Sequence, residues 1–208
     1  MSGIVEIASF GKTPRVTASY TRAADATSYS AGDLIGNSTT SANVVPITWD
    51  MATVWSALDI RDRPSYSLSG RITGATCTVA AASGTVVLTN LLFDLYLFRP
   101  TTGIPFAAAG YPADNAAVTL TAAASRDLIA VIPFVNAKWR NNIGANAAAG
   151  AFLWQDAAVY GLNSRASAPF NISGLASTAI QGLLVAQGAW NPGAVAQQFD
   201  IALDIDLD

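Results

Sequence analysis

Carboxylates dominate the reactive side chains of this sequence. It carries thirteen aspartates and one glutamate, no histidine, and a single cysteine, Cys77. Without imidazole there is no Ser-His-Asp or Cys-His relay and no histidine-held metal, and one thiol forms no internal disulfide. What remains is acid–base work by carboxylate pairs, or hard-cation binding. Asp59, Asp62, Asp94 and Asp114 are the acids open to a hydrolase cleft. Such a cleft needs two acids at a set separation, one with a raised pKa, and no spacing here singles out a pair. Cys77 has no base to activate it and reads as a small buried hydrophobe. Gly144-Ala145-Asn146 and Gly150 are not followed by Lys-Ser/Thr, so neither is a phosphate loop.

The sharpest spacing is at the C-terminus. Alternation over 199–208 places Ile201, Leu203, Ile205 and Leu207 on one strand face, and Asp200, Asp204, Asp206 and Asp208 with Ala202 on the other. Same-face neighbours on a strand lie about 6.5–7 Å apart. Clustered carboxylates suit calcium. The glycine and glutamate of an EF-hand-like loop are missing, and the plainer reading is a face turned to solvent or to arginines of a neighbouring strand. The residues therefore assign no metal and no cofactor. Five tryptophans, Trp49, Trp55, Trp139, Trp154 and Trp190, could form a sugar platform, or serve as core and interface. Trp139, between Lys138 and Arg140, reads as the most exposed, so Trp139 and Arg140 are interface candidates.

The elements that must position these groups are strands. Nine of the eleven basic residues are Arg, and Lys and Glu, which clothe soluble helices, are nearly absent. Alternating or apolar runs over 16–20, 34–37, 44–49, 66–80, 86–88, 91–98, 128–135, 152–160, 170–172, 180–187 and 199–207 predict short strands. One short helix is expected within 49–59, where Met51, Val54, Trp55 and Leu58 fall at helical spacing. Long connections are expected at 100–117 and 136–151. This pattern predicts an all-β fold, an antiparallel β-sandwich of jelly-roll-like type with at most one or two short helices. Residues 1–19 read as an extended N-terminal arm, and residues 20–208 as a single sandwich domain.

Composition narrows the partners. Forty alanines lift the mean hydropathy, yet no stretch reaches the roughly 18–20 consecutive apolar residues of a membrane-spanning helix. The first residues lack a basic segment followed by an apolar one, so synthesis in a cytoplasm is expected, with Cys77 reduced. The net charge is −3 and no basic block occurs, which argues against a nucleic-acid surface.

Three stretches resemble one family. Residues 20–40, which contain Tyr29-Ser30-Ala31-Gly32-Asp33 and then a short apolar strand, resemble a segment of small virion structural proteins of tailed bacteriophages. Leu92–Phe98, Pro100 and Asp114-Asn115-Ala116-Ala117 look like that family's strand, proline loop and Asp-Asn-Ala segment. Residues 181–192, ending in Trp190-Asn191-Pro192, resemble its late strand and turn. The segments stand in the family's order. Ala23 replaces a proline common there, and residues 50–65 fit poorly. The resemblance implies a non-enzymatic virion component, a capsid decoration or cement protein. It would bind the major capsid protein and associate with itself, with a trimer suiting pseudo-threefold positions. A tail, fibre or baseplate domain that binds a host glycan is the alternative. In the decoration reading, the arm would lie along a neighbouring subunit, with Arg15 and Arg22 pairing with its acids.

Overall fold

The computed structural model describes residues 5–6, 14–52, 69–81, 91–99, 110–135, 138–141, 152–159, 167–172 and 179–207. The strand expected over 86–88 and residues 53–59 of the stretch where a helix is expected lie outside them, as does Asp208's place on the C-terminal strand, and Trp49 and Asp50 of that stretch are strand.

Alternating sequences become strands that bury every second side chain. The first sheet contains β1 (Val5–Glu6), β2 (Arg15–Thr21), β5 (Ser69–Ala81), β8 (Arg140–Asn141), β9 (Phe152–Ala158), β10 (Ala168–Asn171) and β12 (Gln197–Leu207). Its order is β1-β2-β12-β5-β9-β8, with β10 also on β5. The second contains β3 (Leu34–Ile35), β4 (Ile47–Asp50), β6 (Phe93–Phe98), β7 (Leu128–Phe134) and β11 (Ala179–Ala186). Its order is β3-β11-β6-β7, with β4 also on β11. All pairings among the described residues are antiparallel. The architecture is the all-β sandwich that the alternation predicts.

One apolar core fills the space between the sheets. Val16, Cys77, Val79, Ile201, Leu203 and Ile205 come from the first, and Trp49, Phe93, Leu95, Ile132 and Leu184 from the second. Phe93 of β6 meets Phe199 of β12 edge-on at 5.6 Å. Trp49 of β4 crosses the core to donate its indole N–H to the Ile201 carbonyl at 2.9 Å. Its ring lies over Gly182, where a Cβ would come within 2.6 Å of it.

The outward row of the second sheet is itself covered. Leu34, Phe98 and Leu183 pack with Val44, Ala124, Tyr111, Val118 and Leu120, so the connection 110–121 and helix α1 (Ala122–Asp127) form a partial third layer. The sequence reading contains no such helix. Thr121 starts it by accepting the Ala124 N–H on its side-chain oxygen at 3.1 Å, and three alanines carry it. Leu128–Phe134 is mostly buried and is the outer strand of its sheet among the described residues, with Pro133 exposed where no ladder bond is required of it. One other element differs from expectation. Residues 15–19 are not free arm: they belong to β2, whose Val16 and Ala18 are core, because β12 pairs along its whole length.

Candidate functional site

The most elaborate polar arrangement is centred on Arg22. The alternation that buries Val16, Ala18 and Tyr20 continues one step past β2 and turns Arg22 inward, where it is 1% exposed. Its Nε donates to Gln197 Oε1. Nη1 donates to the Asp25 carbonyl at 2.9 Å and to the Tyr29 hydroxyl at 3.3 Å. Nη2 donates to the carbonyls of Gly193 at 3.2 Å and Val195 at 2.9 Å. All five guanidinium N–H donors are thus placed. The guanidinium also lies 5.9 Å from the ring centres of Tyr29 and Trp190, which stack on each other at 5.2 Å.

Asp114 supplies the counter-charge, its Oδ2 lying 3.7 Å from Arg22 Nη1. The Tyr29 hydroxyl and the Gly36 N–H each donate to its Oδ1 at 2.6 Å. Burial pushes the Asp114 carboxyl up, against those two donors and Arg22. Burial, followed by the Asp114 hydrogen bond, pushes the Tyr29 hydroxyl far up, so it stays a donor. Gly36 must be glycine on steric grounds, since a Cβ there would meet the Asp114 Cα at 2.9 Å. Asp114 and Asn115 are the central residues of a turn closed by the Ala116 N–H on the Ala113 carbonyl at 3.1 Å. Asn115 takes φ 62 there, a conformation asparagine tolerates better than most residues.

Backbone bonds tie the same three segments together. Tyr29 N–H donates to the Trp190 carbonyl at 2.8 Å, Gly32 N–H to Ala186 at 2.8 Å, Leu34 N–H to Ala116 at 2.9 Å, and Asn115 N–H to Leu34 at 2.9 Å. The stretches 20–40, 114–117 and 181–192, far apart in the chain, form one knot. A catalytic acid must reach its substrate. Arg22 and Asp114 are sealed from solvent, with Asp114 Oδ2 facing the guanidinium at 3.7 Å without a hydrogen bond, so neither group reaches a substrate from this position.

The expected interface residues fall in different places. Arg15 is half-exposed, but its Nε is 2.7 Å from Asp204 Oδ1, and Nη2 is 3.3 Å from Oδ2, within its own chain. Arg22 is in the core, so the expected pairing of Arg22 with a neighbour's acids is corrected: Gln197, Tyr29 and the carbonyls of Asp25, Gly193 and Val195 already take its donors. Trp139 is not an exposed platform. It packs on Phe93 and Phe134 at 5.9 and 6.0 Å between ring centres and donates its indole N–H to the Leu91 carbonyl at 2.9 Å. That leaves Lys138 and Arg140 on either side of it as the exposed members of the triplet.

The acidic strand face is a lattice of local partners. Asp200 accepts from Ser19 Oγ at 2.6 Å and from Gln198 Nε2 at 2.9 Å. Asp204 holds Arg15, and Asp206 stands opposite Arg71. Across the sheet, Asp156 accepts from Thr76 at 2.8 Å. No group of three or more metal-ligating side chains converges among the described residues.

Asp94, on the otherwise apolar strand β6, is partnered by the Gln187 side-chain amide, which donates to Oδ2. The second oxygen, Oδ1, is buried with no hydrogen-bond partner. Gln197 and Gln155 are also buried polar residues that the sequence reading did not single out. A signal existed: each sits on the inward parity of its strand, Gln197 in line with Phe199 and Ile201, and Gln155 with Ala157. A search of family models, curated proteins and solved structures finds no match to this chain.

Proposed function

We propose that this chain is a non-enzymatic structural protein of a tailed-phage particle, a head decoration protein that sits on the major capsid protein. It would be made in the bacterial cytoplasm and bind as a homo-oligomer, with a trimer suiting pseudo-threefold junctions of the shell. The observation that carries this reading is the knot. Arg22, Tyr29, Asp114 and Trp190, which the knot binds together, come from each of the three stretches that resemble the virion family, the second contributing its Asp-Asn-Ala part. The buried members of those stretches, Tyr20, Arg22, Tyr29 and Asp114 among them, support reading them as a structural unit.

The surface supports the same role. The outward row of the first sheet presents Thr17, Ser19, Thr76 and Thr78 beside locally paired charges. Such a face can pack on another protein without burying an unpaired charge, which is the costly event at an interface. The inward position of Trp139 removes the main support for a sugar platform.

Cryo-electron microscopy of the particle that carries this protein tests the proposal. Regular density on the head shell is expected. Density confined to the tail overturns the decoration role, and absence from the particle overturns the virion role. In a binding assay with undecorated heads, removal of residues 1–13 is expected to weaken attachment while leaving β2 and its Arg15–Asp204 pair in place.

A further inference from the structure

The edge of β2 is open where the other sheet edges are guarded. β12 pairs with one side of β2 from Arg15 to Thr21, and β1 pairs with the other side only at Arg15 and Val16. The Pro14 carbonyl accepts the Ile205 N–H at 2.8 Å, and the Arg22 N–H donates to the Gln197 carbonyl at 2.8 Å, so the even-numbered residues turn their main-chain groups to β12. Thr17, Ser19 and Thr21 therefore turn theirs to the edge, and no described strand meets them there. Ser19 and Thr21 are exposed. An unpaired edge invites another strand, and proteins block it with charge, proline or a covering element. The other outer strands among the described residues carry such a guard: Glu6 on β1, Asp50 on β4, Pro133 on β7, Arg140 on β8, Asp156 on β9 beyond β8, and Pro169 on β10. Thr17-Ala18-Ser19-Tyr20-Thr21 has none.

The stretch also matches itself. Its outward row reads Thr-Ser-Thr from either end, centred on Ser19. We infer that the Thr17–Thr21 edge binds the same edge of a second copy of this chain, antiparallel about a two-fold axis at Ser19, so that two seven-stranded sheets join into one. In that register Ser19 stands opposite the partner's Ser19, and Thr17 opposite the partner's Thr21. Each of these pairs exchanges both main-chain hydrogen bonds, because both residues aim N–H and C=O across the seam. On the inward row Ala18 meets the partner's Tyr20, which extends the apolar side of the sheet. Hydroxyl pairs across antiparallel strands are favourable, and no unpaired charge is buried, since Arg15 beyond the end of the contact is already held by Asp204. A self-complementary edge closes a pair and leaves nothing on it for a third copy. The contact is thus separate from any trimer contact, and it stands on the strand edge alone, whatever particle the protein belongs to.

Disulfide trapping in the full chain tests the register. The Cα atoms of a hydrogen-bonded antiparallel pair lie about 5.5 Å apart, within disulfide reach. S19C is expected to give a covalent dimer under mild oxidation, because its thiol meets its own copy, whereas T17C alone is not. T17C and T21C chains mixed together are expected to cross-link to each other. Cys77 is buried and takes no part. Sedimentation over a range of concentrations is the second measurement. The unaltered chain is expected to reach about twice the mass of S19K, since like charges directly opposite are destabilising, while the outward position accepts a lysine within one chain. Equal masses for the two proteins, or equal cross-linking of S19C and T17C, overturns the inference. So does loss of the S19C cross-link on removal of residues 1–4, which would make that segment of a neighbour the occupant. So does a cross-link that forms only after that removal, which would make the chain's own segment the cover. A cross-linked dimer of a protein absent from heads would sink the decoration reading only; head binding by a chain whose S19C form never cross-links would sink this inference only.

Discussion

Arg22 and Asp114, 92 positions apart in sequence, lie within 3.7 Å of each other, with side chains 0% and 1% exposed. Charges at that depth are tolerated only when each is answered, because desolvation alone costs several kcal/mol per ion. Here the arginine is answered by carbonyls, Gln197 and two rings, and the carboxylate by Tyr29, Gly36 and the arginine. The pair acts as a closure specification: segments that miss each other would leave a buried charge alone.

Removal of one partner should therefore cost more than removal of both. R22L is expected to lower unfolding free energy by about 3–5 kcal/mol, since it strands the Asp114 carboxylate. R22L combined with D114L should lose clearly less than the sum of the two single changes. Urea denaturation of the four proteins measures this, and strict additivity would contradict the closure role.

Gly182 provides a packing test. A methyl group there would stand 2.6 Å from Trp49 Cζ3 and 2.8 Å from Cη2, while the indole N–H is tethered to Ile201. G182A is expected to destabilise by about 1–3 kcal/mol, the usual cost of overpacking. The near-ultraviolet circular dichroism of the tryptophans should change with it. An unchanged stability would mean that Trp49 is free to move.

Asp94 sets a pH dependence with a definite sign. Burial raises its pKa in the folded chain, and the Gln187 amide offsets this only in part. A carboxyl raised on folding favours the fold fully below its unfolded pKa, and that contribution is lost as pH rises through the folded value. Relative to D94N, the wild-type chain should therefore lose stability from about pH 4 upward. Parallel denaturation series at several pH values measure the gap. A gap that is constant, or that closes with rising pH, would contradict the burial of an under-partnered carboxylate.

Cys77 should be inert. It is fully buried on β5, and burial first, then Asp200, pushes its thiol well up. A chromogenic thiol reagent is expected to react with it only after denaturant is added. Rapid reaction with the native chain would show that the sandwich opens at β5.

The parity of each strand was legible from the amino acids. Val16, Ala18 and Tyr20, then Phe199, Ile201, Leu203 and Ile205, all face the core as their alternation requires. The same parity already placed Arg22 and Gln197 inward, although their polarity argued for the surface. Local patterning carries this much because a strand repeats every two residues whatever it pairs with. Helix α1 was not legible because six residues are under two turns, too few to show an apolar stripe at helical spacing.

By itself, the amino-acid sequence determined the absence of histidine chemistry, the all-β class and which faces of its strands are apolar. Only the tertiary structure decided which polar residues answer one another. It set Arg22 against Asp114, turned Trp139 under Phe93 and Phe134, and spent Arg15 on Asp204. The physical reason is range. Alternation is a property of neighbours two residues apart, whereas the energy of a buried charge depends on groups that strand pairing brings from distant parts of the chain.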